Sequence, residues 1–400
     1  MKILQICYRV PFPANDGGTI AMFNHTKAFH KNGHQVHILA INTKKHHVDI
    51  KHLPKEFSDV ATMDAVNIDT SIKPLDAFFN LFSRKSYNIQ RFISTSFEKK
   101  LTQLLQKKEF DIVQLESIFV APYIATIRKY SKAKIVLRSH NVEFKIWEHL
   151  SNACSSFLKK SYLKLLTRRL KKYELGLLNS YDAIAAITDE DAAVFKKLGC
   201  TLPITIAPVG INIEEYSTQD PRREFPGVFH LGAMDWMPNV EAIEWFLKNV
   251  WKDLHIEYPD LKFYIAGRKM PKWLKEENDQ NIIVEGEVPD AKKFMSSKTI
   301  MLVPLQSGGG MRVKIVEGMA LGKTIISTSL GAEGIPYTPD KDILIANSPN
   351  EFKAMIVRCI NDKSFCENIG NNAINLAKSH FDTNLIGQHL LQFYQGLINK

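Results

Sequence analysis

The sequence predicts an α/β protein built as two domains, each a parallel sheet flanked by helices. Three observations predict it. Strand-like apolar runs alternate with helix-period stretches along the whole chain, which is the pattern of βα units. The runs fall into two sets of five, separated by the turn-rich, charged segment Pro208–Pro226. The 400 residues, 45% of them hydrophobic, are ample for two full cores.

In the first half the apolar runs Ile3–Tyr8, Val36–Ile41, Asp111–Leu115, Ile135–Ser139 and Ala183–Ile187 read as strands. The first carries one early lysine and no small-residue cleavage site, so it reads as a strand and not as a signal peptide. Helical spacing marks Thr19–Lys31, Phe97–Lys107, Ser156–Asn179 and Asp189–Lys197. In the second half the strands are Val228–Gly232, Phe263–Ala266, Ile282–Glu285, Ile300–Leu305 and Thr324–Ser329. The helices there are Val240–Leu254, Asp290–Ser296, Met311–Leu321, Glu351–Asn361 and Asn384–Asn399. The expected domains are 1–207 and 208–382. No internal repeat or low-complexity tract is visible, and no segment approaches the roughly 20 apolar residues that span a bilayer.

Charge is unevenly divided. Residues 1–200 hold 31 Lys+Arg against 18 Asp+Glu, a net +13, whereas the second half is −3. A basic half suits an anionic substrate, an anionic lipid surface or nucleic acid. Without a zinc-finger or RNP-like pattern, nucleic acid is not expected as a partner. Five scattered cysteines with no CxxC pair fit a reduced, cytoplasmic protein without a metal cluster.

The richest stretch is MLVPLQSGGGMRVKIVEGMALGKTIISTSLGAEGI, residues 301–335. A buried strand meets Gly308, Gly309 and Gly310, and a helix follows from Met311. Glycines allow close backbone approach, and the free N–H groups of a helix start favour an anion such as phosphate. Arg312 and Lys314 add cations at the helix end where cations are ordinarily unfavourable, and a nearby anion explains them. Ligands of open α/β sheets bind at the carboxyl ends of the strands. That rule also selects the loop Asn15-Asp16-Gly17-Gly18 and the strand-end pair His140-Asn141, so the three loops are expected to line one cleft.

Several pieces in this order resemble the retaining, nucleotide-sugar-dependent glycosyltransferases of family 4, with the two-domain GT-B fold. They are Gly17-Gly18 before the first helix, the Gly33-His34-Gln35-Val36 turn and Arg138-Ser139-His140-Asn141. Further on come Ala186-Ile187-Thr188-Asp189, Pro208-Val209-Gly210-Ile211 and Glu317 followed by Gly318-Met319-Ala320-Leu321-Gly322-Lys323. The resemblance implies a sugar transferase acting on a glycan or lipid-linked acceptor in surface polysaccharide biosynthesis. Its donor would be a nucleotide-diphosphate sugar, bound as a substrate with no tightly bound cofactor. The first domain would take the acceptor and the second the donor. Segment 383–400 would cross back to the first domain. Cytoplasmic localisation, with contact to the inner face of the membrane, fits such acceptors.

The resemblance also implies roles. Glu317 would accept the ribose hydroxyls and His140 would contact the donor sugar. The charge that grows on a departing diphosphate calls for fixed donors, and the Gly309, Gly310 and Met311 amides with Arg312 and Lys314 are expected to supply them beside Gly308. His140, Arg312 and Lys314 are thus the candidate catalytic residues. Two departures stand out. Many members carry two glutamates around the glycine loop, but here the earlier position is Gly309. Many also carry an Arg and a Lys after the first strand of the second domain, where this chain reads Gly232-Ala233-Met234-Asp235-Trp236-Met237-Pro238-Asn239. Gly232, Asp235, Asn239 and Arg268 are nonetheless expected at the donor site, as are Gly17 and Gly18 in the first domain.

Asp189-Glu190-Asp191 has the spacing of a metal motif, but Thr188 before it reads as an N-cap, so it is expected to be a helix start and the chemistry metal-independent. Residues 156–175 carry seven Lys/Arg with an apolar stripe. They form either a helix packed on the first domain or an anionic-membrane contact. Two other readings are a nucleotide-sugar epimerase of similar fold and an inactive sugar-nucleotide-binding scaffold. The scaffold is motivated by Gly309.

Overall fold

A computed structural model describes residues 1–14, 16–216, 223–276 and 281–399. Asn15 of the first glycine loop and residues 217–222 of the expected boundary segment lie outside the described residues. The chain divides into two compact units, Met1–Gly210 with Thr383–Lys400, and Ile211–Asp382.

The first unit holds seven parallel strands: β1 (Lys2–Cys7), β2 (Gln35–Thr43), β3 (Thr62–Ile68), β4 (Ile112–Glu116), β5 (Lys134–Ser139), β6 (Ala183–Ala186) and β7 (Ile204–Ile206). Their order is β3-β2-β1-β4-β5-β6-β7, so the winding reverses between β1 and β4. Two strands beyond the expected five lie at the sheet edges. β3 is half-buried and carries Asp64 toward His37, which breaks the apolar run that marks a central strand. β7 is only three residues long.

The second unit holds β8 (Gly227–Leu231), β9 (Lys262–Ala266), β10 (Ile282–Gly286), β11 (Ile300–Val303), β12 (Thr324–Ser327) and β13 (Leu344–Ile345). All are parallel, in the order β10-β9-β8-β11-β12-β13, with the reversal between β8 and β11. A reversal point opens a crevice at the strand carboxyl ends, and both candidate sites lie beside one.

Central strands are apolar on both faces because helices cover both. Ile3, Leu4, Ile6, Ile112, Val113 and Leu115 are all fully buried. Each such side chain contributes about 1.5–3 kcal/mol relative to exposure. The C-terminal helix, Thr383–Ile398, packs on the Gly17–Lys31 helix within the first unit. Gly387 permits this, since a Cβ there would lie 2.5 Å from the Ala28 Cβ. Tyr394 on the same helix donates to Gln114 Oε1 under the sheet.

Helix starts follow their caps. Asp16 caps Gly17–Lys31 with a full capping box through Thr19. Thr188 accepts from the Asp191 amide at 3.0 Å and caps Asp189–Lys197, so the D-E-D run is a helix start. The Glu143–Ala153 and Lys363–His380 helices lie where no helix is expected from the sequence.

Candidate functional site

In the second unit the glycine loop leaves the carboxyl end of β11 beside the reversal point. The helix that follows begins at Val313, two residues later than the spacing predicts, and Arg312 is its N-cap residue. Met311 is therefore loop, packed on the apolar core. Gly308 has φ +98° and Gly310 +85°, values that disfavour a Cβ. A Cβ at Gly308 would also strike the Trp236 ring at 2.9 Å.

Arg312 is 7% exposed. Its Nη1 donates back to the Gly309 and Gly310 carbonyls, and its guanidinium lies over the Trp236 ring, 5.2 Å from the centroid. Its Nε and Nη2 are buried with no partner among the described residues. Burial lowers the Arg312 pKa, with the Glu333 carboxylate opposing.

Lys314, half-buried two residues further on, donates from Nζ to the Leu231 carbonyl at 3.0 Å and to Asn239 Oδ1 at 3.1 Å. Asn239 in turn donates to the Ala233 carbonyl, so it holds the lysine in place. Burial, then repulsion from Arg312, pushes the Lys314 ammonium down to about 7. Two cations thus crowd one loop, one with unsatisfied donors and the other close to losing its proton. A bound anion would relieve both conditions.

The neighbouring residues shape the same corner. Gly232 follows β8, where a Cβ would meet Asn239 and His230 at 2.8 Å. Asp235 pairs with Arg268 at 3.3 Å, on the surface. Glu317 accepts the Tyr216 hydroxyl at 2.8 Å, and burial raises its pKa against that bond.

In the first unit, β1, β4 and β5 bring a polar cluster to the reversal point. Glu116 and Arg138 are fully buried and paired at 3.2 Å, and His140 Nε2 lies 2.6 Å from Glu116 Oε2. Gln5 donates to the other Glu116 oxygen at 2.6 Å. Burial alone would raise the Glu116 carboxyl. Arg138 and His140 outweigh it and hold the group well below the usual carboxylate range. His140 is itself kept below its ordinary value by burial, which exceeds the upward pull of Glu116. The imidazole is therefore a neutral, oriented ring, and it packs edge to face with the Tyr8 ring. Ser117, just after β4, has φ +78°, a strained value for a side-chain-bearing residue at this crevice.

Gly17 and Gly18 form the first helical turn, and Asp16 Oδ1 already accepts the Gly18 amide. A Cβ at Gly18 would collide with the Tyr8 hydroxyl at 2.7 Å and Arg9 at 2.8 Å. Arg9 is ion-paired to Asp16.

A family model described as Glycosyltransferase Family 4 matches residues 15–215, and one described as Glycosyl transferases group 1 matches 226–362. The chain belongs to glycosyltransferase family 4. It is 23% identical over 391 residues to an uncharacterized 44.6 kDa protein in the cps region of Klebsiella pneumoniae, covering 96% of this chain and 97% of that one. The fold matches Anabaena HepE, solved in complex with UDP, at TM-score 0.67 and 14% identity, over 99% of this chain and 100% of that one. It matches sucrose-phosphate synthase from Thermosynechococcus elongatus at TM-score 0.70 and 14% identity, over 100% and 99%. The protein is a GT-B glycosyltransferase.

Several polar contacts in and near the candidate sites are not legible in the sequence. Glu333, from the segment after β12, accepts the Gly310 amide at 2.9 Å and would lie 3.9 Å from a Cβ at Gly309. A carboxylate thus reaches the glycine loop from elsewhere in the chain. Glu241 accepts the Ser307 hydroxyl. Glu116 hides inside an apolar strand. Glu174 sits in the basic 156–175 stretch yet is 5% exposed, and it accepts the Glu143 and Phe144 amides at 3.1 and 3.0 Å. It caps the Glu143–Ala153 helix from a neighbouring helix, a signal that local sequence does not carry. Burial, with Glu174 nearby, raises Glu143 to about 8, and burial raises Glu174 to about 7. Among the described residues, no group of three or more His, Cys, Asp or Glu is arranged to hold a metal ion.

Proposed function

We propose that this glycosyltransferase moves a sugar from a nucleotide-diphosphate donor to a glycan or lipid-linked acceptor, with retention and without a metal, in surface polysaccharide biosynthesis. One observation carries the donor reading. The glycine loop holds a buried arginine with two unpartnered N–H groups beside a lysine whose charge the site disfavours, an arrangement that a bound anion would complete. The diphosphate is that anion. As the glycosidic bond breaks, negative charge grows on its oxygens, and Arg312, Lys314 and the Gly308–Gly310 loop stabilise it. Glu317 accepts the ribose hydroxyls, exchanging its Tyr216 bond. Gly232, Asp235, Asn239 and Arg268 shape or position the donor pocket.

In this reading the first unit takes the acceptor. His140, held neutral by burial on the Glu116–Arg138 pair, contacts the sugar, and Gly17 and Gly18 keep the adjoining helix start open. UDP bound to Anabaena HepE supports a nucleotide donor, and the cps-region relative supports the polysaccharide role. The exposed cations Lys159, Lys164, Arg168 and Lys172 support an anionic-membrane contact through 156–175. Leu166 and Leu170 of the same helix are buried, so its apolar stripe is spent on packing.

Incubation with a panel of nucleotide sugars and acceptors tests the reading. Acceptor-dependent release of nucleoside diphosphate, unaffected by chelator, with the donor's anomeric configuration kept in the product, is expected. Binding without release would favour the inactive scaffold.

A further inference from the structure

We propose that the Pro74–Leu81 helix of the first unit is a membrane-docking element that seats its aromatic face in an anionic bilayer surface. It extends the membrane contact given above by naming the residues that enter the lipid, and it is independent of the donor-site reading.

The helix is inverted with respect to an ordinary surface helix. Leu75, Phe78, Phe79 and Phe82 follow the i, i+3, i+4, i+7 spacing of an apolar stripe, yet they are 72, 55, 68 and 80% exposed. Ile72, just before the helix, is 67% exposed. The three phenylalanine rings cluster on the surface, Phe78 lying 5.9 Å from Phe79 and 5.7 Å from Phe82. The buried residue of the helix is polar instead. Asn80 donates to Gln90 Oε1 at 2.7 Å and to the Lys85 carbonyl at 3.2 Å. It also receives Arg169 on its carbonyl and its Oδ1, at 2.8 and 2.9 Å. Arg169 donates to the Leu81 carbonyl as well, and the Tyr87 hydroxyl clasps the Lys73 backbone. The polar face is thus held firmly by directional bonds while the apolar face is turned outward. A soluble protein rarely presents so concentrated an apolar patch without a partner.

Charge identifies the partner as a bilayer. Lys73, Arg84 and Lys85 flank the patch, all exposed, with Asp76 as the single acid between residues 71 and 85. They belong to the half of the chain with the large positive excess. An apolar face ringed by cations is the pattern of an interfacial helix, with rings at the headgroup boundary and cations on anionic headgroups. A helix of eight residues is far too short to cross a bilayer, and no described helix is long and apolar enough to do so.

Co-sedimentation of the full chain with phosphatidylglycerol-containing and pure phosphatidylcholine vesicles tests this. The wild type is expected to pellet with the anionic vesicles, and less so at high salt. The triple substitution Phe78→Ser, Phe79→Ser and Phe82→Ser is expected to weaken binding more than roughly ten-fold. Its melting temperature should be unchanged, because these side chains are exposed. Each Lys73→Gln or Lys85→Gln change should cost roughly five-fold. Neutralising Lys159, Lys164, Arg168 and Lys172 probes the 156–175 contact separately. Undiminished binding by the triple variant overturns the proposal. So does a wild-type dimer that the triple variant disperses in the absence of lipid, which would assign the face to a second copy of the chain.

Discussion

Lys314→Met probes the proposed anion site most directly. In the free protein the ammonium is pushed from 10.5 down to about 7. That gap is worth ~5 kcal/mol of interaction between the charged lysine and whatever restores it. A diphosphate against Nζ supplies that interaction, so binding should pull a proton onto Lys314 between about pH 7 and 10.5. Below that window the lysine is already charged and affinity is flat. Within it, affinity should fall by up to about ten-fold for each pH step of one. At pH 7 the methionine variant loses a charge-assisted hydrogen bond of about 1.5–3 kcal/mol, or roughly 10- to 150-fold in affinity. By pH 9 the free wild type is largely neutral at this position and must take up a proton to bind, so its advantage over the variant should narrow. Calorimetric titration with UDP in buffers of differing ionisation enthalpy measures both affinity and proton uptake. A wild-type affinity that does not change with pH, with no proton uptake, would refute the reasoning. So would a variant that binds as tightly as the wild type at pH 7, provided it melts as a folded protein.

Other perturbations follow from the same geometry. Gly308→Ala forces a Cβ into positive φ and against Trp236, so nucleotide binding should drop sharply while the far-UV circular dichroism is retained. Glu333→Gln removes a negative charge beside the loop and should tighten UDP binding roughly two- to five-fold, read by the same titration. Glu174→Gln keeps an oxygen for one of the Glu143 and Phe144 amides, sets an NH2 against the other, and removes a titration. The folded-state pKa of Glu174 is raised from 4.5 to about 7, so its stabilising contribution is complete below about 4.5 and is lost as the pH rises through 7. The variant's melting temperature should therefore decline less than the wild type's between pH 5 and 8, and parallel curves would count against the assignment. Arg138→Met leaves Glu116 charged in the core without its buried cation, with Gln5, Gln114 and His140 as its remaining partners, which should cost about 3–5 kcal/mol in a denaturant melt.

Sequence by itself determined the α/β class, the central strands, the glycine loop and the family. The physical reason is that these depend on local information: apolar runs of strand length, turn residues at fixed offsets, and motif order. It placed Arg312 and Lys314 at a helix start, although the helix begins two residues later than the spacing suggests because Arg312 turns back onto the loop carbonyls. Only the tertiary structure decided what each charge faces. Glu333 meets the glycine loop across 23 residues of sequence, Glu174 caps a helix 31 residues before it, and Glu116 pairs with Arg138 across adjacent strands. Such contacts join residues far apart in the chain, and composition and periodicity carry no trace of them. The Pro74–Leu81 helix shows the same limit. Its apolar spacing alone would suggest a buried face, and the bonds made by Asn80, Arg169 and Tyr87 turn that face outward.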